Sequence, residues 1–588
     1  MADYAVIIDK SKCNPRACGD YLCMKVCPRN KAGDECIIKG PNNKVAVNED
    51  LCIGCRVCAH KCPFGVIKIA NLPKELKKSP VHQYGKNMFR LYTLPIPKQS
   101  QVIGLVGSNG IGKTTAINIL SGSLKPNLGD WSKEATNKDI INFFHGSEVQ
   151  NFFEDNFSGR IKFAYKPQYI EVIPEQWKGI VRELLKKVDE SGKLDEIARL
   201  LELNNILDRK LNQISGGELQ RVAIATVLLK NANVYLFDEP SSYLDIRQRL
   251  RTAKVIRGLS NTNNSTFVVE HDLIMLDYMT DLVHIFYGQK GCYGITSFPY
   301  SSREGINTYL TGFLNKENIK FRPEEIKFRV IEPMIDIKRG VLVEWPDLTK
   351  EFPDFKLKIN QGSLYSGEVI GVVGPNGIGK TTFARMLAGE VKPTKGEAEL
   401  KIKISYKPQY IKPTQPRLVR DLLYNFKNFE EYKHNFRHLD LEPLLDLDLA
   451  ELSGGELQRV SIVACLLQNA GLYLFDEPSA HLDVEQRLNV AKAITEVVKS
   501  RGASAIVIDH DLMFLDYLSE RLLVFIGEPS VNGESFGPLR MRDGMNLFLK
   551  DLDITFRRDE KSHRPRANKT GSMLDREQKE KGEYYYAS

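Results

Sequence analysis

The chain has 588 residues, a length that suggests three to five domains with ample material for several cores. It contains no run of about 18 apolar residues, which argues against a helical membrane span, and its opening MADYAVIIDK lacks the apolar stretch of a secretory leader. A formal charge of +8 is modest; it is compatible with a polyanionic partner and does not establish one.

Nine of the eleven cysteines lie between residues 13 and 62, in two runs. These are Cys13-x4-Cys18-x4-Cys23-x3-Cys27-Pro28 and Cys52-x2-Cys55-x2-Cys58-x3-Cys62-Pro63. A disulfide framework is disfavoured, because a chain without a leader belongs in a reducing compartment. Soft thiolates at short spacings suit iron–sulfur chemistry; the second run has the two-cluster ferredoxin spacing and the first is a loosened copy of it. In that arrangement the fourth cysteine of each run ligates the other cluster. Cys13, Cys18, Cys23 and Cys62 are then expected to hold one [4Fe–4S] cluster, and Cys27, Cys52, Cys55 and Cys58 the second. Cys36 is left over as a buried spare. Structural zinc is the competing reading, although it favours paired Cys-x2-Cys knuckles over triplets closed by Cys-Pro. Residues 1–80 carry 14 Lys and Arg against 8 Asp and Glu, and eight cluster thiolates would pull that excess back towards neutrality. Cys292 and Cys465 are isolated and read as small buried hydrophobes.

Downstream, a motor sequence occurs twice. VIGLVG (102–107) and VIGVVG (369–374) read as buried strands running into glycine loops and then helices. Gly107-x4-Gly112-Lys113-Thr114 and Gly374-x4-Gly379-Lys380-Thr381 fit a phosphate-binding loop. Main-chain N–H groups from Asn109, Gly110 and Thr115, and from Asn376, Gly377 and Thr382, would close around the phosphates; the lysine reaches the outer phosphates and the first threonine ligates Mg²⁺. VYLFDEP and LYLFDEP are apolar strands ending in two carboxylates. Asp238 and Asp476 are expected to bind the metal and Glu239 and Glu477 to act as general bases. His271 and His510 follow their aspartates by 33 and 34 residues, which marks them as γ-phosphate sensors rather than incidental histidines. Adenine needs an aromatic platform upstream of each loop: Tyr84 and Phe89 in the first repeat, Phe352 and Phe355 in the second, with ordinary core packing as the alternative.

With SGGELQR at 215–221 and 453–459, and the loops SSYLD (241–245) and SAHLD (479–483), these segments resemble ATP-binding cassette domains. The resemblance implies that Gln168 and Gln409, within YKPQYI, contact Mg²⁺ and the attacking water. It also implies composite sites, in which Lys113 and Glu239 face Ser453, Gly455 and Glu456, while Lys380 and Glu477 face Ser215, Gly217 and Glu218; Asp245 and Asp483 border the nucleotide.

The repeats differ in one place: 55 residues separate Lys113 from Gln168, but 29 separate Lys380 from Gln409. An insert at about 130–165 therefore lies within the first cassette. It reads as two short helices around a glycine turn, with a capping box of Ser147 and Gln150 opening the second and Phe143, Phe144, Phe152 and Phe153 forming apolar edges. A partner contact is expected of it, with a self-packed hairpin as the plainer alternative. A second repeat follows each motor: REGINTYL (303–310) and RDGMNLFL (542–549), leading to the basic segments IKFRPEEIKFR and ITFRRDEKSHRPRANK. These read as paired hinges, or else as a solvated linker and tail.

From the cysteine runs to FRRDEKSHRPRANK, the chain resembles the ABC-E family, the ribosome-recycling ATPases also called RNase L inhibitors. The resemblance implies an α/β fold of twin cassettes carrying an N-terminal α+β ferredoxin-like domain. The expected domains are 1–72 (two [4Fe–4S] clusters), 73–298 (first cassette), 299–335 (hinge), 336–530 (second cassette) and 531–588 (second hinge and tail). It further implies a cytoplasmic, monomeric ATPase whose cassettes pair within one chain. Its partners would be the ribosome, chiefly RNA and proteins of the small subunit, with release factor or a Pelota-like factor and initiation factors, and no membrane. A redox enzyme using ATP to gate the clusters and a non-motor nuclease inhibitor are the other classes. No flavin or nicotinamide motif supports the former, and intact Glu239 and Glu477 speak against the latter.

Overall fold

The computed structural model describes residues 4–72, 79–261, 263–328, 340–397, 400–409 and 415–586. The chain divides into two units: residues 1–240, 255–270 and 279–325 form one, and residues 241–254, 271–278 and 326–588 the other.

The first unit begins with strand Tyr4–Ile8 paired antiparallel to Ile67–Asn71, and a hairpin of Ile37–Lys39 and Val45–Val47. Two short helices, Leu22–Val26 and Val57–Lys61, each lead into a cysteine followed by proline, Cys27-Pro28 and Cys62-Pro63. Proline cannot donate to a continuing helix, so the chain leaves each helix at its last cysteine. Cysteines share this small core with Val6, Ile8, Ile37, Val45, Ile67 and Ile69. Glu49 ties the domain to the following cassette: its carboxylate accepts from Arg90 at 2.6 Å and from Asn87 at 3.0 Å.

The first cassette is built on parallel strands in the order Leu282–Gln289, Gln101–Val106, Ser265–Val269, Val234–Asp238 and Phe163–Lys166, with antiparallel strands added beyond Leu282–Gln289. Val234–Asp238 and Ser265–Val269 are buried at every position, as parallel strands covered on both faces require. Functional residues collect where such strands end.

The insert forms helices Asn137–Phe143 and Glu148–Phe157, but its capping differs from the sequence expectation. The capping box belongs to the first helix: Asp139 N–H donates to Thr136 Oγ1 at 3.2 Å, and Thr136 N–H to Asp139 Oδ2 at 3.0 Å. Ser147 starts the second helix without capping it, because its hydroxyl closes the turn onto the Phe144 carbonyl at 2.6 Å. Gln150 instead accepts from Gly146 N–H, one residue too early for a box. The aromatic edges face inward: Phe152 and Phe153 are buried in the cassette core, with Phe143 and Phe144 packed against them. Each buried ring contributes roughly 1.5–3 kcal/mol, which accounts for the insert's apolar residues without a partner.

The second unit repeats the parallel order with Arg521–Ile526, Val369–Val373, Ser504–Ile508, Leu472–Asp476 and Ile404–Lys407. Here the expected boundary at 530/531 is corrected. Strand Asn532–Arg540 pairs with both Arg521–Ile526 and Lys356–Ile359, so it completes the cassette sheet, and helix Met541–Asp551 follows it. Its sequence NGESFGPLR looks like a loop because the site demands glycine: a Cβ on Gly533 would sit 2.2 Å from the Ile378 carbonyl oxygen of the phosphate loop. The expected boundary at 335/336 lies outside the described residues, and that at 72/73 falls at their edge.

The C-terminal segment folds as strands Phe556–Arg558, Pro565–Ala567 and Tyr585–Tyr586 with helix Met573–Lys581. Arg564 and Arg566 hold Asp277, at 2.9 and 2.5 Å, and Arg558 and the Tyr585 hydroxyl hold Asp516, each at 2.6 Å. Asp277 and Asp516 occupy matching places, six residues after His271 and His510.

Candidate nucleotide sites and cysteine cages

In each repeat a strand, Gln101–Val106 or Val369–Val373, delivers the glycine loop to the N-terminus of a helix, Lys113–Leu120 or Lys380–Leu387. Gly112 and Gly379, the residues before these helices, have φ of 99° and 103°. This left-handed backbone suits glycine and turns the N–H groups towards one point. Lys113 Nζ donates to the Gly107 and Ser108 carbonyls at 2.7 and 2.9 Å, and Lys380 Nζ to Gly374 and Pro375 at 2.8 and 2.7 Å. Burial lowers the Lys380 ammonium to about 8, against the pull of Glu477, Asp245 and Asp476. An anion bound in the loop would compensate that desolvation.

Thr114 Oγ1 lies 3.3 Å from Asp238 Oδ2, and Thr381 Oγ1 lies 2.7 Å from Asp476 Oδ2. Desolvation, then the neighbouring Glu239, raises Asp238 to about 6; desolvation likewise raises Asp476. Asp476 Oδ1 is buried without a hydrogen-bond partner, and an orphaned carboxylate oxygen beside a threonine hydroxyl fits a hard cation such as Mg²⁺. Gln168 Nε2 donates to Glu239 Oε1 at 2.8 Å, and Gln409 Nε2 to Glu477 Oε1 at 2.7 Å. Both sites therefore bring the expected threonine, aspartate, glutamate and glutamine together.

His510 Nε2 lies 3.7 Å from Glu477 Oε1. Burial, with Lys380 and Arg249 nearby, holds the imidazole well below its ordinary range, so it is neutral at pH 7 and this contact is not an ion pair. His271 is equally buried.

Each signature motif starts a helix, Gly216–Leu228 or Gly454–Leu467. Ser215 Oγ and Ser453 Oγ lie 2.8 and 2.7 Å from the Glu218 and Glu456 carboxylates. Gly217 is in the first turn, and Gly455 permits close approach of the His481 carbonyl, 2.8 Å from where a Cβ would sit. Asp483 caps helix Val484–Arg501 through Gln486 N–H, and Asp245 Oδ2 accepts from Asn376 N–H of the phosphate loop at 3.1 Å.

Of the aromatics, Tyr84 and Phe352 present exposed faces, and the Tyr84 hydroxyl reaches Thr115 Oγ1 at 3.2 Å. Phe89 and Phe355 lie behind the loops instead, with ring tips 2.8 and 3.2 Å from where a Cβ on Gly112 or Gly379 would be.

The cysteines gather around two pockets. Cys13, Cys18, Cys23 and Cys62 line one. Cys27, Cys52, Cys55 and Cys58 line the other, and Cys36 joins them there rather than standing apart. All-sulfur donor sets around apolar pockets fit iron–sulfur clusters. Burial pushes the thiols of Cys23 up to about 11 and of Cys58 to about 12, so each would ionise at neutral pH only with a metal to stabilise the thiolate.

Sequence reasoning missed two side chains in each repeat. Lys166 and Lys407 are buried and donate to the main-chain oxygens of the paired carboxylate residues, and Gln220 and Gln458 do so from the signature helices. The signal was present: YKPQYI and SGGELQR are each duplicated with those residues intact.

A family model described as "ABC transporter" matches residues 96–242 and 357–480, and one described as "4Fe-4S binding domain" matches 45–68. The chain is 45% identical to "ABC transporter E family member 1" of Arabidopsis thaliana, over 99% of this chain and 98% of that protein. It is 51% identical to a chain of the solved structure "Model of ribosome-bound archaeal Pelota and ABCE1", with a TM-score of 0.93 and 100% of both chains covered. It is also 52% identical to a chain in the "Crystal structure of the complex of archaeal ribosomal stalk protein aP1 and archaeal ribosome recycling factor aABCE1", with a TM-score of 0.82 over 86% of this chain and 99% of that one. The expected fold class, twin cassettes with a 4Fe–4S-binding N-terminal domain, is borne out.

Proposed function

We infer from a chain that belongs to the ABC transporter E family that it is an ATPase of ribosome recycling, dissociating post-termination or stalled ribosomes into subunits. The observation that carries this reading is full-length correspondence with a ribosome-bound relative, supported by two glycine-loop sites in each of which a glutamine amide holds a glutamate carboxylate.

Lys113 and Lys380 would exchange their loop carbonyls for phosphate oxygens. Glu239 and Glu477 would accept the proton of the attacking water, which Gln168 and Gln409 orient. His271 and His510, the latter held neutral by burial, would donate to the γ-phosphate. Thr114, Gln168 and Asp238, and Thr381, Gln409 and Asp476, would hold Mg²⁺, which supplies charge neutralisation at the phosphates. Tyr84 and Phe352 would stack on adenine. Ser215 and Ser453 would each close on the nucleotide of the other repeat, so that ATP favours a closed state which hydrolysis releases. Moving such an equilibrium from 1:99 to 99:1 takes about 5.5 kcal/mol of differential affinity.

The two cysteine sets would hold two [4Fe–4S] clusters, which supply the cross-links that stiffen a domain of about 70 residues with little core of its own. That domain would act as a rigid wedge. The insert's polar face and the hinges would meet ribosomal RNA and protein, beside a release factor or Pelota-like factor, in the cytoplasm. The test is a sucrose gradient of ribosomes incubated with the protein, release factor and ATP. Subunit peaks should grow at the expense of monosomes; an unchanged monosome peak, with ATP consumed, refutes the assignment.

A further inference from the structure

Glu239 and Glu477 have φ of 48° and 47°, a left-handed backbone that residues with a side chain adopt at a cost. Neither position can be glycine, because the carboxylate is needed. Something must therefore hold the conformation, and in both repeats the same groups surround the peptide. Lys166 Nζ donates to the carbonyls of Asp238 and Glu239 at 2.8 and 3.2 Å, and Lys407 Nζ to those of Asp476 and Glu477 at 2.9 and 3.4 Å. Gln220 Nε2 reaches the Glu239 carbonyl at 2.8 Å, and Gln458 Nε2 that of Glu477 at 2.6 Å. In the preceding peptide, whose carbonyl is that of Asp238 or Asp476, Glu239 N–H donates to the Val269 carbonyl and Glu477 N–H to that of Ile508, at 2.9 and 2.8 Å.

We propose that Lys166 with Gln220, and Lys407 with Gln458, are positioning residues that lock each catalytic glutamate in its left-handed setting and link that setting to the signature helix. The Asp–Glu peptide is held by the lysine on its carbonyl and a strand acceptor on its N–H, and the following Glu–Pro peptide, which has no N–H, by two donors on its carbonyl, so both peptides flanking the glutamate are fixed. Gln168 or Gln409, two residues beyond the lysine, then fixes the carboxylate itself. The lysine and this glutamine leave the same strand end, so one element sets both the backbone and the side chain of the base. Gln220 and Gln458 lie five residues after Ser215 and Ser453 on continuous helices, so displacement of a signature serine moves a donor on the glutamate in its own repeat. Lysine at 1 and 2% exposure is costly to bury. Core filling alone would be served by methionine.

The inference rests on the reading of Glu239 and Glu477 as general bases. It is tested in the full-length, cluster-loaded protein carrying Glu239→Gln, so that the second site is observed. Lys407→Met and Gln458→Met should each lower kcat about 10- to 100-fold, the scale of a misplaced catalytic group, while the Kd for Mg-ATP stays within about two-fold. A folded variant whose kcat stays within about two-fold overturns the proposal, as does an ATP affinity that falls in step with kcat. If Lys407→Met does not fold, Gln458→Met decides by the same criteria. Adding Glu477→Gln separates the two readings. Continued hydrolysis there refutes the general-base assignment, whereas its loss alongside normal turnover in Lys407→Met refutes the positioning role alone.

Discussion

Removing the Asp277 carboxylate should release the C-terminal segment. Asp277 is 8% exposed and accepts from Arg566 Nε at 2.5 Å and Nη2 at 3.0 Å, with Arg564 Nη2 at 2.9 Å. The Arg564 side chain is fully buried. Asp277→Ala would leave two guanidinium groups facing each other without their shared anion, and breaking a buried pair costs about 3–5 kcal/mol. At about 1.4 kcal/mol per decade, amides of Phe556–Arg558 and Arg566–Ala567 should exchange with solvent on the order of 10² to 10³ times faster, if they open locally. Hydrogen exchange read by mass spectrometry resolves this without assuming two-state unfolding of a multidomain chain. Asp208→Ala is the control: its pair with Arg182 at 2.8 Å has an aspartate 72% exposed, so less than about 1 kcal/mol is at stake. Burial alone would raise the Asp277 pKa, but Arg564 and Arg566 outweigh it and hold it below the usual carboxylate range. The contribution is therefore present above the unfolded-state value and lost only as pH falls through the lowered one; it should not change between pH 7 and 5. Acceleration of less than about five-fold in Asp277→Ala would refute the argument.

His284 is buried between Ile96 N–H, which donates to Nε2 at 3.2 Å, and the Ser297 carbonyl, 2.8 Å from Nδ1, and burial lowers it to about 4. The unfolded chain takes up this proton near pH 6.5 and the folded chain does not, so stability should fall by roughly 3 kcal/mol between pH 6.5 and 4; a His284→Gln variant with an unchanged acid limb would contradict this. Gly533→Ala should weaken ATP binding at the second loop, because the new Cβ meets the Ile378 oxygen at 2.2 Å and overpacking costs about 1–3 kcal/mol; calorimetric titration showing two equal sites would disprove it. Cys58→Ser should remove about half of the iron and sulfide, while Cys292→Ser, buried away from both cavities, should remove none. Equal iron content in the two variants, measured after anaerobic purification, would show that the second cavity holds no cluster.

The motor was legible because its chemistry is local. A glycine loop, a strand ending in Asp-Glu and a serine-led helix each declare themselves within about ten residues, and duplication removes chance. The second cysteine run was legible for the same reason, since its spacing lies within a segment that matches a 4Fe–4S-binding family model. What stayed hidden depends on distant partners. Asn532–Arg540 falls in the expected second hinge because two glycines and a proline interrupt any strand pattern; only the strands on either side, and a carbonyl pressing on Gly533, make it a strand. The phenylalanines of the insert announce apolar edges but not the direction they face, which the cassette core decides. The misplaced capping box has a simpler cause. Ser147 and Gln150 stand at the right spacing, but their side chains serve the preceding turn.

The hidden lysines point to a more general rule. A buried lysine in a repeat reads as an error or a catalytic group, and Lys166 and Lys407 are shielded from solvent. Their partners are main-chain oxygens at a residue whose backbone is strained twice, with φ values one degree apart in repeats that differ by an insert of about 26 residues. Accidental strain would not survive such divergence at one position, since relaxing it would be worth about 1–3 kcal/mol to each repeat. The strain persists because a donor pair over-determines the peptide, and the donors come from the strand bearing Gln168 or Gln409 and from the helix bearing the signature serine. The conformation of each glutamate is thereby made to depend on both of those elements.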